Sequence, residues 1–182
     1  MAKFVGQAPL EVFSVGTDPR SESTRGEYRF SEVFDAAADF SFYLGDCLEF
    51  LKTLPDGAAN LIVTSPPYNI GKAYERRTSL ATYLETQRQV ITECVRVLAP
   101  NGSICWQVGN HVDRGAIIPL DSLLFPVFHD LDLKMRNRIV WHFEHGLHCS
   151  KRLSGRYETI SWFTKSNDYV FNLDPVRVPQ KY

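Results

Sequence analysis

Two consecutive prolines close the apolar run Leu61-Ile62-Val63-Thr64. A continuous run of that kind reads as a strand buried in a parallel sheet. Pro66 and Pro67 fix two φ angles and remove two backbone donors, so the strand must stop at Ser65. Any fold this chain adopts therefore has to deliver Ser65-Pro66-Pro67-Tyr68 to the carboxyl end of a core strand. In open α/β sheets, sites form at that end.

The flanking pattern agrees with such a sheet. Phe42-Tyr43-Leu44 predicts a short strand ending at Gly45-Asp46, and Leu48, Leu51 and Leu54 mark one face of a short helix stopped by Pro55-Asp56-Gly57. From Tyr83 to Leu98 apolar residues recur as on an amphipathic helix, closed by Pro100-Asn101-Gly102. Ser103 to Val108 reads as a second buried strand, and residues 119–131 as a second packing helix. Arg138 to Phe143 and Thr159 to Thr164 read as strands, with Tyr169-Val170-Phe171 as a short addition. The Arg138 and Thr159 strands are joined without a helix signature and are expected to form an antiparallel edge pair. Ser31 is placed to cap a helix over Glu32 to Ala38. The expectation is an α/β fold with a mostly parallel sheet, an irregular leader over residues 1–40, and one domain over residues 41–182.

The composition, 44% hydrophobic and 23% charged over 182 residues, suits a globular domain with a real core. No apolar run approaches the roughly 18 residues a membrane helix needs, and no signal peptide pattern opens the chain; a cytoplasmic location is the expectation. Cys47, Cys94, Cys105 and Cys149 include no CxxC pair and read as reduced thiols. His142, Glu144, His145, His148 and Cys149 lie close in sequence, but no second cluster completes a zinc pattern, and no metal is expected. Charge is unevenly spread. Residues 1–70 hold five Lys/Arg against ten Asp/Glu, and residues 71–182 hold fifteen against eleven. The positive half follows the proline pair, which points to an anionic partner there.

The proline motif carries chemistry as well as a strand end. Ser65 offers a hydroxyl acceptor, the Pro66 carbonyl a second acceptor, and Tyr68 a flat aromatic face. That set fits an exocyclic amino group held against a ring, with two acceptors taking its protons and its nitrogen turned toward an electrophilic methyl. Such a nitrogen is a poor nucleophile, so positioning and charge stabilisation supply most of the rate. A base in a duplex would have to leave the stack to reach this pocket.

The stretch from Leu61 to Glu75, centred on Ser65-Pro66-Pro67-Tyr68-Asn69-Ile70-Gly71-Lys72, resembles motif IV of the DNA N4-cytosine/N6-adenine methyltransferases. The motif order resembles their β class, in which the catalytic motif precedes the cofactor-binding motif. The likeness runs from about Tyr43 to the C-terminus. It implies a Rossmann-like fold dependent on S-adenosylmethionine, with double-stranded DNA as substrate and a restriction endonuclease as a partner activity. Ser65, Pro66, Pro67 and Tyr68 take the catalytic roles. Asp46, Cys47 and Ser65 face the cofactor, with Asp46 as the natural carboxylate near its adenine; the competing role for Asp46 is a helix cap. Lys72, Arg76 and Arg77 after the motif, and Lys151, Arg152 and Arg156 later, are candidates to meet phosphates. Ser in the first motif position leans toward cytosine N4, by resemblance alone.

The family binds the methionine part of the cofactor on a Phe-x-Gly-x-Gly turn. None of the 11 glycines here is separated from another by a single residue, so that turn has no counterpart. The expectation is an incomplete fold, an N-terminal portion whose sheet exposes an edge or an apolar face, covered by a second copy, a partner chain or a missing C-terminal portion. A non-catalytic module that binds nucleic acid or a partner, and a methyltransferase for RNA or protein amide nitrogen, stay open as alternatives.

Overall fold

The computed structural model describes residues 28–146 and 148–179. Most of the leader expected over residues 1–40 lies outside the described residues. In chain order the elements are β1 (Phe30–Ser31), β2 (Phe40–Ser41), α1 (Cys47–Thr53), β3 (Ala59–Thr64), α2 (Leu80–Val97) and β4 (Leu98–Val108). They continue with β5 (Asn110–Asp113), β6 (Ala116–Pro119), α3 (Leu120–Asp130), β7 (Lys134–His142) and β8 (Tyr157–Thr164). A short 3-10 turn follows at Asp174–Val176.

The principal sheet has strand order β3-β4-β8-β7. β3 and β4 run parallel, with Leu61 opposite Ser103 and Thr64 opposite Trp106, and α2 is the crossover between them. β4–β8 and β8–β7 are antiparallel. The antiparallel edge pair matches expectation. Parallel pairing within this sheet is confined to β3–β4, because the β7–β8 hairpin inserts its second strand beside β4.

Alternation along β4 sorts its two faces. Ile104, Trp106 and Val108 are fully buried, whereas Cys105 and Gln107 are only partly so. The buried face joins one core cluster with Ile91 and Cys94 from α2, Leu120, Leu124 and Phe128 from α3, and Phe163 from β8. Phe128 stacks on Phe163 with centroids 4.2 Å apart, and Trp106 meets Phe128 edge-on at 5.6 Å. Burying each such ring contributes about 1.5–3 kcal/mol. Asp121, buried in the first turn of α3, pairs with Arg138 of β7 and ties that helix to the hairpin.

The opposite face is sparsely covered. Leu61 is 60% and Val63 70% exposed. Among the described residues β3 pairs only with β4, so it forms one edge of the sheet. This is the exposed apolar face and edge anticipated for an incomplete fold.

Three local expectations give way, and one element was not foreseen. Glu32 to Ala38 is not helical: Ser31 sits in β1, and its hydroxyl accepts from the Val33 N–H at 3.2 Å, a local turn that competes with helix capping. The strand expected at Phe42 to Leu44 falls instead at Phe40–Ser41. There a parallel pairing with β1 satisfies the backbone. Tyr169 to Phe171 is no strand; its rings pack against Trp162 at 5.5 Å and 5.3 Å. The β5–β6 hairpin was not anticipated. Its turn, Arg114-Gly115, has φ of 47° and 85° and lacks the usual Asn-Gly or Asp-Gly signal. No helix among the described residues is long and apolar enough to cross a membrane.

Candidate active site

Ser65-Pro66-Pro67-Tyr68 leaves the carboxyl end of β3, as the sequence requires. Tyr68 turns back toward the sheet. Its hydroxyl lies 2.7 Å from Ser65 Oγ and donates to Glu158 Oε2 at 3.0 Å. Gln107 Nε2 donates to the same carboxylate oxygen at 2.6 Å. The Tyr68 ring rests on Gly109, where an added Cβ would stand 3.2 Å from two ring carbons. Burial, and then the nearby Glu158 carboxylate working against the hydrogen bond shared with Ser65, push the Tyr68 phenol up to about 12. It is therefore protonated at neutral pH.

The motif is a wall between two cavities. The larger, about 660 Å³, is lined by Ser65, Pro66, Pro67, Asp46, Cys47 and residues of α2. The smaller, about 340 Å³, is lined by Tyr68, Gly109, Asn110, Arg152 and Glu158. Tyr83 Oη, Gln87 Oε1 and Trp106 Nε1 are buried without a hydrogen-bond partner among the described residues, and all three residues line the larger cavity. Orphaned polar atoms around an apolar space suit a ligand carrying its own donors and acceptors.

Asp46 caps α1: its Oδ1 accepts from Leu48 N at 2.8 Å and Glu49 N at 3.4 Å. Capping and a ligand role are compatible, because both cap bonds go to one oxygen and the residue still lines the larger cavity. Gly45 before it lies under the Tyr43 ring, so close that a Cβ would collide at 2.6 Å. Arg96 of α2 fixes the other end of α1. It donates to the carbonyls of Leu51 and Leu54 and to the carboxylates of Asp56 and Glu93. Burial and the adjacent Asp46 carboxylate push the Cys47 thiol up.

The basic loop after the motif is folded on itself. Asn69, only 3% exposed and with φ of 58°, exchanges two hydrogen bonds with the Thr78 backbone, at 3.0 Å and 2.7 Å. Glu75 accepts from the N–H groups of Asn69, Ile70 and Lys72. Burial would raise its carboxyl, but those donors outweigh burial and hold it below its ordinary value. Of the cations named from sequence, Arg76 lines the larger cavity and Arg152 the smaller. Arg77 is turned to the β5–β6 hairpin, 3.6 Å from Asp113 and 3.5 Å from His111. Lys72 and Lys151 are exposed, and Arg156 is half-buried where its carbonyl accepts from Phe143 N. Among the described residues no three His, Cys, Asp or Glu side chains gather as a metal-binding group.

Sequence reading missed Gln107, Gly109 and Glu158. The first two sit at the carboxyl end of the strand beside β3, so the strand-end rule could have flagged them. Glu158 carried no signal beyond a lone acid ahead of an apolar strand.

The profile of the DNA methylase family matches residues 59–182. The chain is 55% identical over 141 residues to the Type II methyltransferase M.BglII of Bacillus subtilis, covering 77% of this chain and 39% of that protein. It is 33% identical over 142 residues to M.HpaI of Haemophilus parainfluenzae, covering 75% and 43%. The chain thus spans less than half the length of either. Among solved structures, a DNA modification methylase of Thermus thermophilus, complexed with S-adenosyl-L-methionine, aligns with a TM-score of 0.57 at 25% identity over 75% of this chain and 61% of that one. PvuII cytosine-N4-specific DNA methyltransferase aligns at 0.59 and 21% identity over 70% and 49%, a likeness of fold. By its matched profile and the motif that β3 delivers, the chain belongs to the DNA N4-cytosine/N6-adenine methyltransferase family.

Proposed function

We propose that this chain is the base-binding portion of a site-specific DNA methyltransferase. The reaction moves a methyl group from S-adenosylmethionine to the exocyclic amino nitrogen of a flipped cytosine (N4) or adenine (N6). The observation that carries this reading is the single motif walling two cavities, with Asp46 and the orphaned polar atoms on one side and Tyr68 on the other.

The larger cavity fits the cofactor's adenosine part. Asp46 has a carboxylate oxygen beyond its cap bonds to accept an amino proton, and Gln87 Oε1, Tyr83 Oη and Trp106 Nε1 await partners. Cys47 and Ser65 border the same space. When bound, S-adenosylmethionine supplies an electrophilic sulfonium methyl. The chain's own part is orientation. Tyr68 offers a ring face for the extruded base, Ser65 accepts an amino proton beside the Pro66 carbonyl, and Pro67 stiffens the turn. Lys72, Arg76, Arg77, Lys151, Arg152 and Arg156 supply positive charge to a DNA backbone. A serine at position 65 favours cytosine N4, and the Type II naming of the relatives favours pairing with a restriction endonuclease. The exposed face of β3 favours completion by further polypeptide, either a C-terminal portion or a second copy.

Calorimetric titration with S-adenosylmethionine, followed by methyl transfer from tritiated cofactor to DNA and to RNA, tests the reading. Binding with transfer to DNA is expected of the completed protein. Transfer to RNA alone would overturn the substrate, and binding to DNA without cofactor binding would favour a non-catalytic module.

A further inference from the structure

Resting on that reading of the site, we infer that Glu158 sets the direction of a hydroxyl relay and so makes Ser65 a pure acceptor toward the target amino group. A phenol has one proton and an ionised carboxylate only accepts. Tyr68 Oη contacts both Ser65 Oγ at 2.7 Å and Glu158 Oε2 at 3.0 Å. The phenol proton therefore goes to Glu158, and the short Ser65–Tyr68 contact is made by the Ser65 proton. Both lone pairs of Ser65 Oγ are left for an incoming N–H.

The relay crosses three neighbouring strands. Ser65 follows the last residue of β3, Gln107 stands on β4 and Glu158 on β8, in the order that the sheet places them. Gln107 donates to the same Glu158 oxygen at 2.6 Å, which holds the carboxylate in place as an acceptor. Without Glu158 the Ser65–Tyr68 pair runs equally well in reverse. Tyr68 would then occupy one Ser65 lone pair, and the Ser65 proton would turn toward the amino hydrogens, donor against donor. Glu158 is thus a positioning residue that acts through Tyr68. The elevated phenol adds support, since it keeps the relay proton in place at neutral pH.

The direction can be read on this chain without DNA or cofactor. Tyr68 is replaced by 3-fluorotyrosine, whose more acidic phenol titrates within the range a fold withstands, and the midpoint is followed by fluorine NMR. A hydroxyl that donates to the phenol oxygen stabilises the phenolate, whereas one that accepts from it stabilises the neutral phenol. Ser65→Ala is therefore expected to raise the midpoint by about half a unit to one unit. A fall, or no change, overturns the relay direction. The isosteric Glu158→Gln is expected to lower the midpoint by about one unit through loss of the neighbouring negative charge; an unmoved midpoint overturns the Glu158 contact. Absence of methyl transfer would reject the proposed function while leaving these titrations as they are, so the two failures are separable.

Discussion

Gly109→Ala tests how tightly the sheet holds Tyr68. No positive φ forbids a side chain at this position, so the effect is steric. The new methyl would stand 3.2 Å from Tyr68 Cδ2 and Cε2, where ordinary contacts begin at 3.4 Å, so the ring must retreat by about 0.2 Å. The ring is not free to do so. Its hydroxyl is held by Ser65 at 2.7 Å and Glu158 at 3.0 Å, and Glu158 Oε1 would itself lie 3.6 Å from the methyl. Overpacking of this kind costs about 1–3 kcal/mol, offset by about 0.4–1 kcal/mol from the less flexible unfolded chain. Chemical denaturation should therefore show a net loss of about 0–2.5 kcal/mol. Under the proposed function, methyl transfer should fall by about tenfold or more, because a small misplacement at the reacting centre is costly. The loss should appear in kcat rather than in KM for DNA. Unchanged kcat, in a protein that Tyr68→Ala inactivates, would refute the claim that Gly109 sets the ring position.

Other outcomes follow from the same geometry. Asp46→Ser keeps a side-chain cap for α1 and should leave the thermal midpoint within a few degrees, yet abolish S-adenosylmethionine binding in calorimetry; Asp46→Ala should also lose about 1 kcal/mol of stability. Retained binding in Asp46→Ser would remove the carboxylate from the cofactor site. Phe163→Ala empties the centre of the core, where Phe128 stacks at 4.2 Å, and should cost about 3–5 kcal/mol in urea denaturation. Arg96→Ala removes the donors that close α1 onto α2, and hydrogen exchange should speed up over Cys47–Thr53 while the protection of β4 holds. Burial pushes the Cys94 thiol from its ordinary 9.0 up to about 12. An unfolded thiol ionises first, so stability should be full below 9.0 and lost as pH climbs toward 12; Cys94→Ala should flatten that alkaline decline.

Particular residues mark what could be read early. α2 is legible because the helical periodicity from Tyr83 to Leu98 overwhelms local noise; the helix itself starts earlier, at Leu80, capped by Ser79 where the loop ends. The β7–β8 pair was legible because no helix separates the two apolar runs. By contrast, β5–β6 turns on Arg114-Gly115, a pair without a strong turn signature. The helix expected at Glu32 to Ala38 failed because a single cap residue cannot outweigh the strand pairing available to Phe30–Ser31. From sequence Asp46 suits either a cap or a ligand, and the structure makes the cap bonds while leaving the residue on the cavity wall.

The amino-acid order alone determined that Ser65-Pro66-Pro67-Tyr68 ends a strand of the principal sheet, since two prolines offer no further ladder donors. It also carried Asp46 at the head of a helix, because capping is a contact between near neighbours. The surroundings of Tyr68 were decided only by the tertiary structure. Gln107, Gly109 and Glu158 reach it from β4, the end of β4, and β8, brought together by a strand order in which the last strand inserts beside the second. A residue ninety positions away cannot be read from local pattern, and that distant carboxylate now gives the Ser65 hydroxyl its direction.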